Sequence, residues 1–184
     1  MSRLEELRAQ LLRLVHLVRN IEMKLALTAT EPEPALNFWR LIYGNHLDIA
    51  VLEWCKAFGS DGEATHWRKI VPPADHDRFR RDLLASLGIT EDAWAAYWNE
   101  MKGYRDSLVA HHLEMKRVSN YPFLDIALKS SFFYYRYLIK ELRMLGEMEY
   151  PNDLAPYCAE FRKQACEIAR RALDVTSQIK ECVN

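Results

Sequence analysis

The chain has 184 residues, 49% of them hydrophobic and 28% charged, with a formal net charge of -1. That length and hydrophobic share fit one domain over residues 1–184 with a sizeable core better than two small ones, and nothing in the composition reads as disordered. A charge so close to zero leaves no overall basic field to gather nucleic acid, so any such contact has to be local. No apolar run approaches the length of a membrane span. Met1 to Asn20 carries arginines throughout and lacks a short apolar core with a small-residue cleavage site, which reads against a signal peptide. Cys55, Cys158, Cys166 and Cys182 form no CxxC pair and no knuckle spacing. The expectation is a reduced, cytoplasmic protein with no membrane attachment, no zinc site and no cofactor.

Apolar residues at Leu4, Leu7, Leu11, Leu14, Val18, Ile21 and Leu25 alternate steps of three and four, which predicts a long amphipathic first helix with a coiled-coil-like seam. Glu31-Pro32-Glu33-Pro34 ends it, because proline cannot continue a helix and disfavours helical backbone in the residue before it. A second helix is expected from about Pro34 to Phe58, where Gly59-Ser60-Asp61-Gly62 supplies residues tolerant of positive φ. A short segment with His66 and Trp67 closes at Val71-Pro72-Pro73, and Asp75 to Leu87 reads as a third helix stopped by Gly88.

Thr90 is a good N-cap for the next helix, with Glu91 and Asp92 set against the positive end of its dipole. The stripe of that helix runs Trp94, Tyr97, Met101, Tyr104, Leu108, His111 and Met115. Asn120-Tyr121-Pro122 separates it from a helix with the stripe Leu124, Leu128, Ser131, Tyr135, Leu138, Leu142 and Leu145. After Tyr150-Pro151-Asn152-Asp153 the last helix repeats the three/four alternation through Leu154, Cys158, Phe161, Ala165, Ile168, Ala172, Val175 and Ile179. No strand pattern, repeat or low-complexity tract interrupts this series. The fold class is all-α, an antiparallel helical bundle of about five long helices plus a short one.

Chemistry concentrates in Tyr104-Arg105-Asp106-Ser107-Leu108-Val109-Ala110-His111-His112. A guanidinium holds phosphate in a bidentate fork and stays charged, and an imidazole moves a proton near neutral pH. Each helical residue advances roughly 100°, so Arg105 and His112 lie nearly on one line while His111 lies about a third of a turn away. Other clusters carry less. Asp75-His76-Asp77 offers ligand types, yet such close neighbours diverge on a helix, which argues against a metal there. His66-Trp67 suits loop packing, and nothing in the spacing of His46, beside Asn45, fixes a role. The run Phe132-Phe133-Tyr134-Tyr135-Arg136-Tyr137 covers every face of its helix, more than one buried stripe explains, and suits burial between the bundle and a partner, with base stacking as the alternative.

The Arg105 to His112 run resembles the Arg-x(4–6)-His motif of HEPN proteins, small α-helical domains that serve as RNases in toxin–antitoxin, abortive-infection and CRISPR-linked defence. Asn37-Phe38-Trp39, Leu52-Glu53-Trp54-Cys55-Lys56, Phe58-Gly59-Ser60 and Thr65-His66-Trp67, taken with the motif run, resemble the abortive-infection branch of that superfamily over about the first two thirds of the chain. The resemblance implies a homodimer in which two copies of the motif form one composite site, acting as a metal-independent endoribonuclease. Arg105 would grip the scissile phosphate, His111 (after Val109-Ala110) or His112 would assist attack by the 2′-hydroxyl, and Asp106 would orient one of them. Lys102 and Tyr104 are expected to contact the RNA, with Lys116 and Arg117 the other basic residues close by. It also implies a partner such as an antitoxin or nucleotidyltransferase, and it leaves open a non-catalytic HEPN-like module that dimerises or docks a partner.

Overall fold

A computed structural model describes residues 2–29, 36–114 and 121–180, with residues 109–114 described by backbone alone. Among them are seven α-helices and no strand: α1 (Arg3–Thr28), α2 (Asn37–Phe58), α3 (Trp67–Ile70), α4 (His76–Leu87), α5 (Glu91–Glu114), α6 (Asp125–Met144) and α7 (Ala155–Thr176), with a 3-10 turn at Pro73–Asp75. Five of these are long, as the periodicities predict, and none is long and apolar enough to cross a membrane.

Local chemistry sets the ends. Ser2 and Glu5 form a reciprocal capping box at the start of α1, and the Thr90 hydroxyl accepts from the Ala93 N–H at the start of α5. Gly88 ends α4 in the left-handed region at φ 66°, where its N–H reaches the Ala85 carbonyl and the Ile89 N–H reaches Leu84, a Schellman-type stop. Gly59 does something else. Its φ is -83°, so the positive φ expected of it is not what the site uses; a Cβ there would stand 2.6 Å from the Cys55 carbonyl oxygen. Space, not backbone freedom, requires glycine. The carbonyls left over at the end of α2 find donors from elsewhere, Lys56 from the Thr65 hydroxyl and Phe58 from the Trp98 indole at 2.9 Å.

α1 is the central helix and packs against α2, α6 and α7. Lys24 meets Tyr43, Asn20 meets His46 and Gln10 reaches Thr65, so α2 runs antiparallel to α1. On another side Arg19 meets Tyr157 and Glu22 meets Arg162, so α7 runs parallel to it. α5 lies antiparallel on α2, with Asp48 against Tyr104, Cys55 under Met101 and Phe58 against Trp94. Consecutive long helices therefore alternate in direction, an antiparallel bundle. Its centre is aromatic: Trp54 contacts Phe58, Trp94 and Tyr97, and its indole N–H donates to Ser130 on α6 at 3.0 Å.

The aromatic run of α6 is absorbed within the chain. Tyr134 and Tyr135 are buried, Phe133 and Tyr137 pack edge-on against Phe79 of α4, and the Tyr135 hydroxyl donates to the Pro151 carbonyl. α6 lies against α1 on one side and α4 on the other, and Phe133 and Tyr137 remain half-buried along a cleft of about 330 Å³ between α4 and α6. Exposed apolar side chains lie on the first half of α2 (Phe38, Leu41), just before α6 (Phe123), at and after its end (Met144, Met148), and on the later part of α7 and beyond (Ile168, Val175, Ile179).

Candidate functional site

The inner face of α5 is the stripe Trp94, Tyr97, Met101 and Tyr104, buried, with Leu108 packed beside it. Burying this stripe against α2 fixes the rotation of the helix and hence which residues reach the flank. At a spacing of 3.6 residues per turn, Trp98, Lys102 and Arg105 follow one another along one edge of the buried stripe.

Arg105 is three-quarters buried and pairs with its neighbour. Its Nε and Nη2 both donate to Asp106 Oδ1, at 2.9 and 2.7 Å, and neither bond involves Nη1. The bond to Asp106 raises the arginine pKa against the opposing effect of burial, so the guanidinium stays charged. Asp106 is 63% exposed, and an ion pair with one such member contributes about 0–1 kcal/mol. A phosphate, binding as a doubly charged-assisted fork, can displace it at little cost.

Lys102 lies one turn earlier, with Nζ 4.0 Å from the centre of the Trp98 ring. Lys102, Arg105, Asp106 and Glu63 are all close enough to bear on the Cys55 thiol beneath them. Burial dominates there and pushes that thiol up to about 12, which makes it an inert packing group and not a nucleophile. Tyr104 turns inward: its ring is buried, its hydroxyl donates to Asp48 Oδ1 at 2.7 Å, and burial followed by that carboxylate drives its pKa well up. Its edge faces Tyr121 at 6.1 Å between ring centres. The hydroxyl is thus committed to holding α5 on α2.

His111 and His112 stand on the last turns of α5, and their side chains lie outside the described residues, as do Lys116, Arg117 and Cys182 altogether. Arg105, Asp106 and Lys102 therefore come together on one flank, and the backbone carries the two histidine positions on from there. Sequence reasoning missed Asp48, Glu63 and Trp98 as neighbours of the motif. Trp98 was legible, four residues before Lys102 on the same helix; Asp48 reaches the site through the packing of α2 and Glu63 through the loop that follows α2, for which no local signal exists.

The remaining candidates have structural occupations. The His76 ring lies against Trp67, and its Nε2 is 3.1 Å from the Arg68 carbonyl and 3.0 Å from that of Val71. His66 Nδ1 accepts from the Arg68 N–H at the start of α3, and burial lowers its pKa although Asp61 opposes this. His46 Nδ1 is 2.8 Å from Asn20 Oδ1. Among the described residues no three His, Cys, Asp or Glu side chains are arranged to hold a metal ion, and Cys55, Cys158 and Cys166 are free thiols. No family model, curated protein or solved structure matches this chain.

Proposed function

We propose that the chain is a HEPN-like domain that cleaves RNA without a metal ion, as a homodimer whose composite site takes Arg105 and a histidine from each copy, in a prokaryotic defence or toxin–antitoxin setting. One observation carries this: Arg105 is held charged on the flank of α5 by a single exposed carboxylate, with Lys102 one turn before it and two histidine positions within two turns after it. A guanidinium so placed is fixed in direction yet free to exchange its partner for phosphate.

In this chemistry the 2′-hydroxyl oxygen attacks the adjacent phosphorus as its proton passes to the imidazole of His111. The bond from phosphorus to the 5′-oxygen breaks, and that oxygen takes up a proton. The products are a 2′,3′-cyclic phosphate and a 5′-hydroxyl. Arg105 and its symmetry mate hold the charge that builds on the phosphoryl oxygens. Asp106, gripping the Nε and Nη2 edge, orients the guanidinium until substrate arrives. DNA lacks the internal nucleophile and is not a substrate.

Arg105→Ala and His111→Ala should each lower RNA cleavage at least about a hundredfold, with helical circular dichroism and dimer mass intact. Cleavage should survive EDTA and leave cyclic phosphate ends. Loss of activity in His112→Ala but not in His111→Ala moves the role to the histidine on the same helical line as Arg105. A wild-type dimer that cleaves no RNA, and is as harmless to expressing cells as Arg105→Ala, refutes the enzyme.

The second reading is a non-catalytic HEPN-like module that dimerises or binds an antitoxin or nucleotidyltransferase. The exposed Phe38 and Leu41, on the half of α2 that runs beside the end of α5, favour it. Phe38→Ser with Leu41→Ser would then lower the mass measured by light scattering.

A further inference from the structure

A cleft of about 290 Å³ opens between α3, α4 and the first half of α5, just before Trp98. Its size is at the lower end of small-molecule sites, roughly 300–1,000 Å³, which gives room for one nucleoside and not for a longer chain. Two arginines shape it. The Arg68 guanidinium lies over Trp67, 5.3 Å from the ring centre, and donates to Asp61 Oδ2 at 2.9 Å. The Arg80 guanidinium lies over Trp94 at 5.0 Å and is bonded to Glu91. Each is thus layered on an indole and pinned at its edge by a carboxylate.

That arrangement selects a ligand class. Asp61 and Glu91 are as exposed as Asp106, so what sets these two guanidiniums apart from Arg105 is the indole that each one covers. What remains available is the planar outer face, and Arg planes are stacking surfaces for unpaired bases. Lys102 differs: among the described residues it has no carboxylate partner, and it lies at the far side of Trp98, between the cleft and Arg105. Polar atoms suited to a flat ring and atoms suited to phosphate therefore follow one another along α5, over about 16 Å from Trp94 to Arg105.

We propose that this cleft is a base subsite: one nucleobase of a single-stranded RNA stacks on the Arg68 and Arg80 planes beside Trp98, while the RNA backbone runs past Lys102 to Arg105. The direction of the backbone rests on the ribonuclease reading; the base subsite itself does not. His66, nearly fully buried with its Nδ1 taken by the Arg68 N–H, forms part of the wall and not of the binding groups. The cleft would fix which nucleotide lies a few positions from the cleaved bond, so it is a determinant of sequence preference.

Adenosine is the probe, and tryptophan fluorescence the readout, because Trp67, Trp94 and Trp98 line the cleft. Adenosine should quench saturably, Arg68→Ala and Arg80→Ala should each weaken it about tenfold, and Arg105→Ala should leave it unchanged. Arg80→Lys, which keeps the charge and removes the plane, should weaken it as Arg80→Ala does; wild-type affinity in Arg80→Lys overturns the stacking. Ribose 5-phosphate should not displace adenosine, and if it does the cleft is an anion site. Absence of saturable quenching in folded protein, checked by thermal melting, also overturns the proposal. Adenosine binding of this pattern in a dimer that cleaves no RNA leaves the subsite standing and removes the ribonuclease. RNA cleavage with unchanged KM in Arg80→Ala, and no adenosine binding, does the reverse.

Discussion

Ser130→Ala should destabilise the protein far more than Ser131→Ala, although the two serines are neighbours on α6 and both are fully buried. Ser130 Oγ accepts from the Trp54 indole N–H at 3.0 Å and donates to the Ala127 carbonyl. Ser131 Oγ only donates to that same carbonyl, at 2.7 Å. Removing the Ser131 hydroxyl deletes a redundant donor. Removing that of Ser130 strands an N–H among Phe58, Trp94 and Tyr97, where no water reaches, and an unpaired buried donor costs about 1–3 kcal/mol. Alanine recovers a few tenths of a kcal/mol of helix propensity at either position. That gain cancels between the two variants, so their difference is about 1–3 kcal/mol, or roughly 2–12 °C in Tm for a chain of this size. Differential scanning calorimetry of both, with urea midpoints as a check, measures it. Equal effects within a degree would show that the indole finds another acceptor and that the Trp54 to Ser130 bond does not tie α2 to α6.

Gly88→Ala should cost about 1 kcal/mol in urea unfolding, since nothing lies within 4 Å of the added carbon and only the φ of 66° opposes it. Iodoacetamide at pH 8 should leave Cys55 and Cys158 unmodified in folded protein, as burial pushes both thiols up to about 12; rapid labelling seen by peptide mass spectrometry would refute their burial. Burial, then the nearby His16, lowers the His46 pKa below its unfolded value. The unfolded chain therefore binds more protons than the folded one below about pH 6.5, so this stability is complete above that pH and declines as pH falls toward the folded value. His46→Gln should flatten the fall in Tm between pH 7 and 5, and an unchanged slope would place the linkage elsewhere, with His66 the next candidate because burial lowers it too.

The helices were legible because each long one buries a stripe at helical spacing, and Leu7, Leu11, Leu14, Val18 and Ile21 are all buried as the alternation in α1 requires. What the alternation could not supply is how many neighbours a helix has. α1 also buries Leu17, Gln10, Asn20 and Glu22, since it serves three helices, and those polar groups have distant partners, the Thr65 carbonyl, His46 and Arg162, with the His16 carbonyl as a second, local one for Asn20. In α7 the predicted seam is regular to its end, yet the covered face shifts off it: Ala165 and Ala169 are buried and the Thr176 hydroxyl accepts from the Trp39 indole of α2, while Ile168, Val175 at 79% exposure and Ile179 face outward. Period alone cannot tell a covered seam from an uncovered one.

For the site the same distinction is sharper. Arg105 and Lys102 were found from residue type and spacing along α5, because a single helix presents both. Tyr104 directly precedes Arg105, yet on a helix successive residues point about 100° apart, and its hydroxyl is turned to Asp48 by the rotation that buries Met101 and Trp94. Adjacency in sequence thus separates Tyr104 from Arg105, while a spacing of four joins Trp98 to Lys102. The same logic applies to the histidines. If dimerisation apposes the Arg105 flanks of two α5 helices, the His112 position on the Arg105 line and the His111 position a third of a turn away, both present on each copy, make different demands on how the helices cross. A crossing close to antiparallel would bring the His112 positions toward the partner's Arg105, and a steeper one the His111 positions. Cross-linking Arg105→Cys with cysteine at position 111 or at 112 therefore decides between the two histidines independently of activity, and a disulfide through neither would refute an interface on this flank.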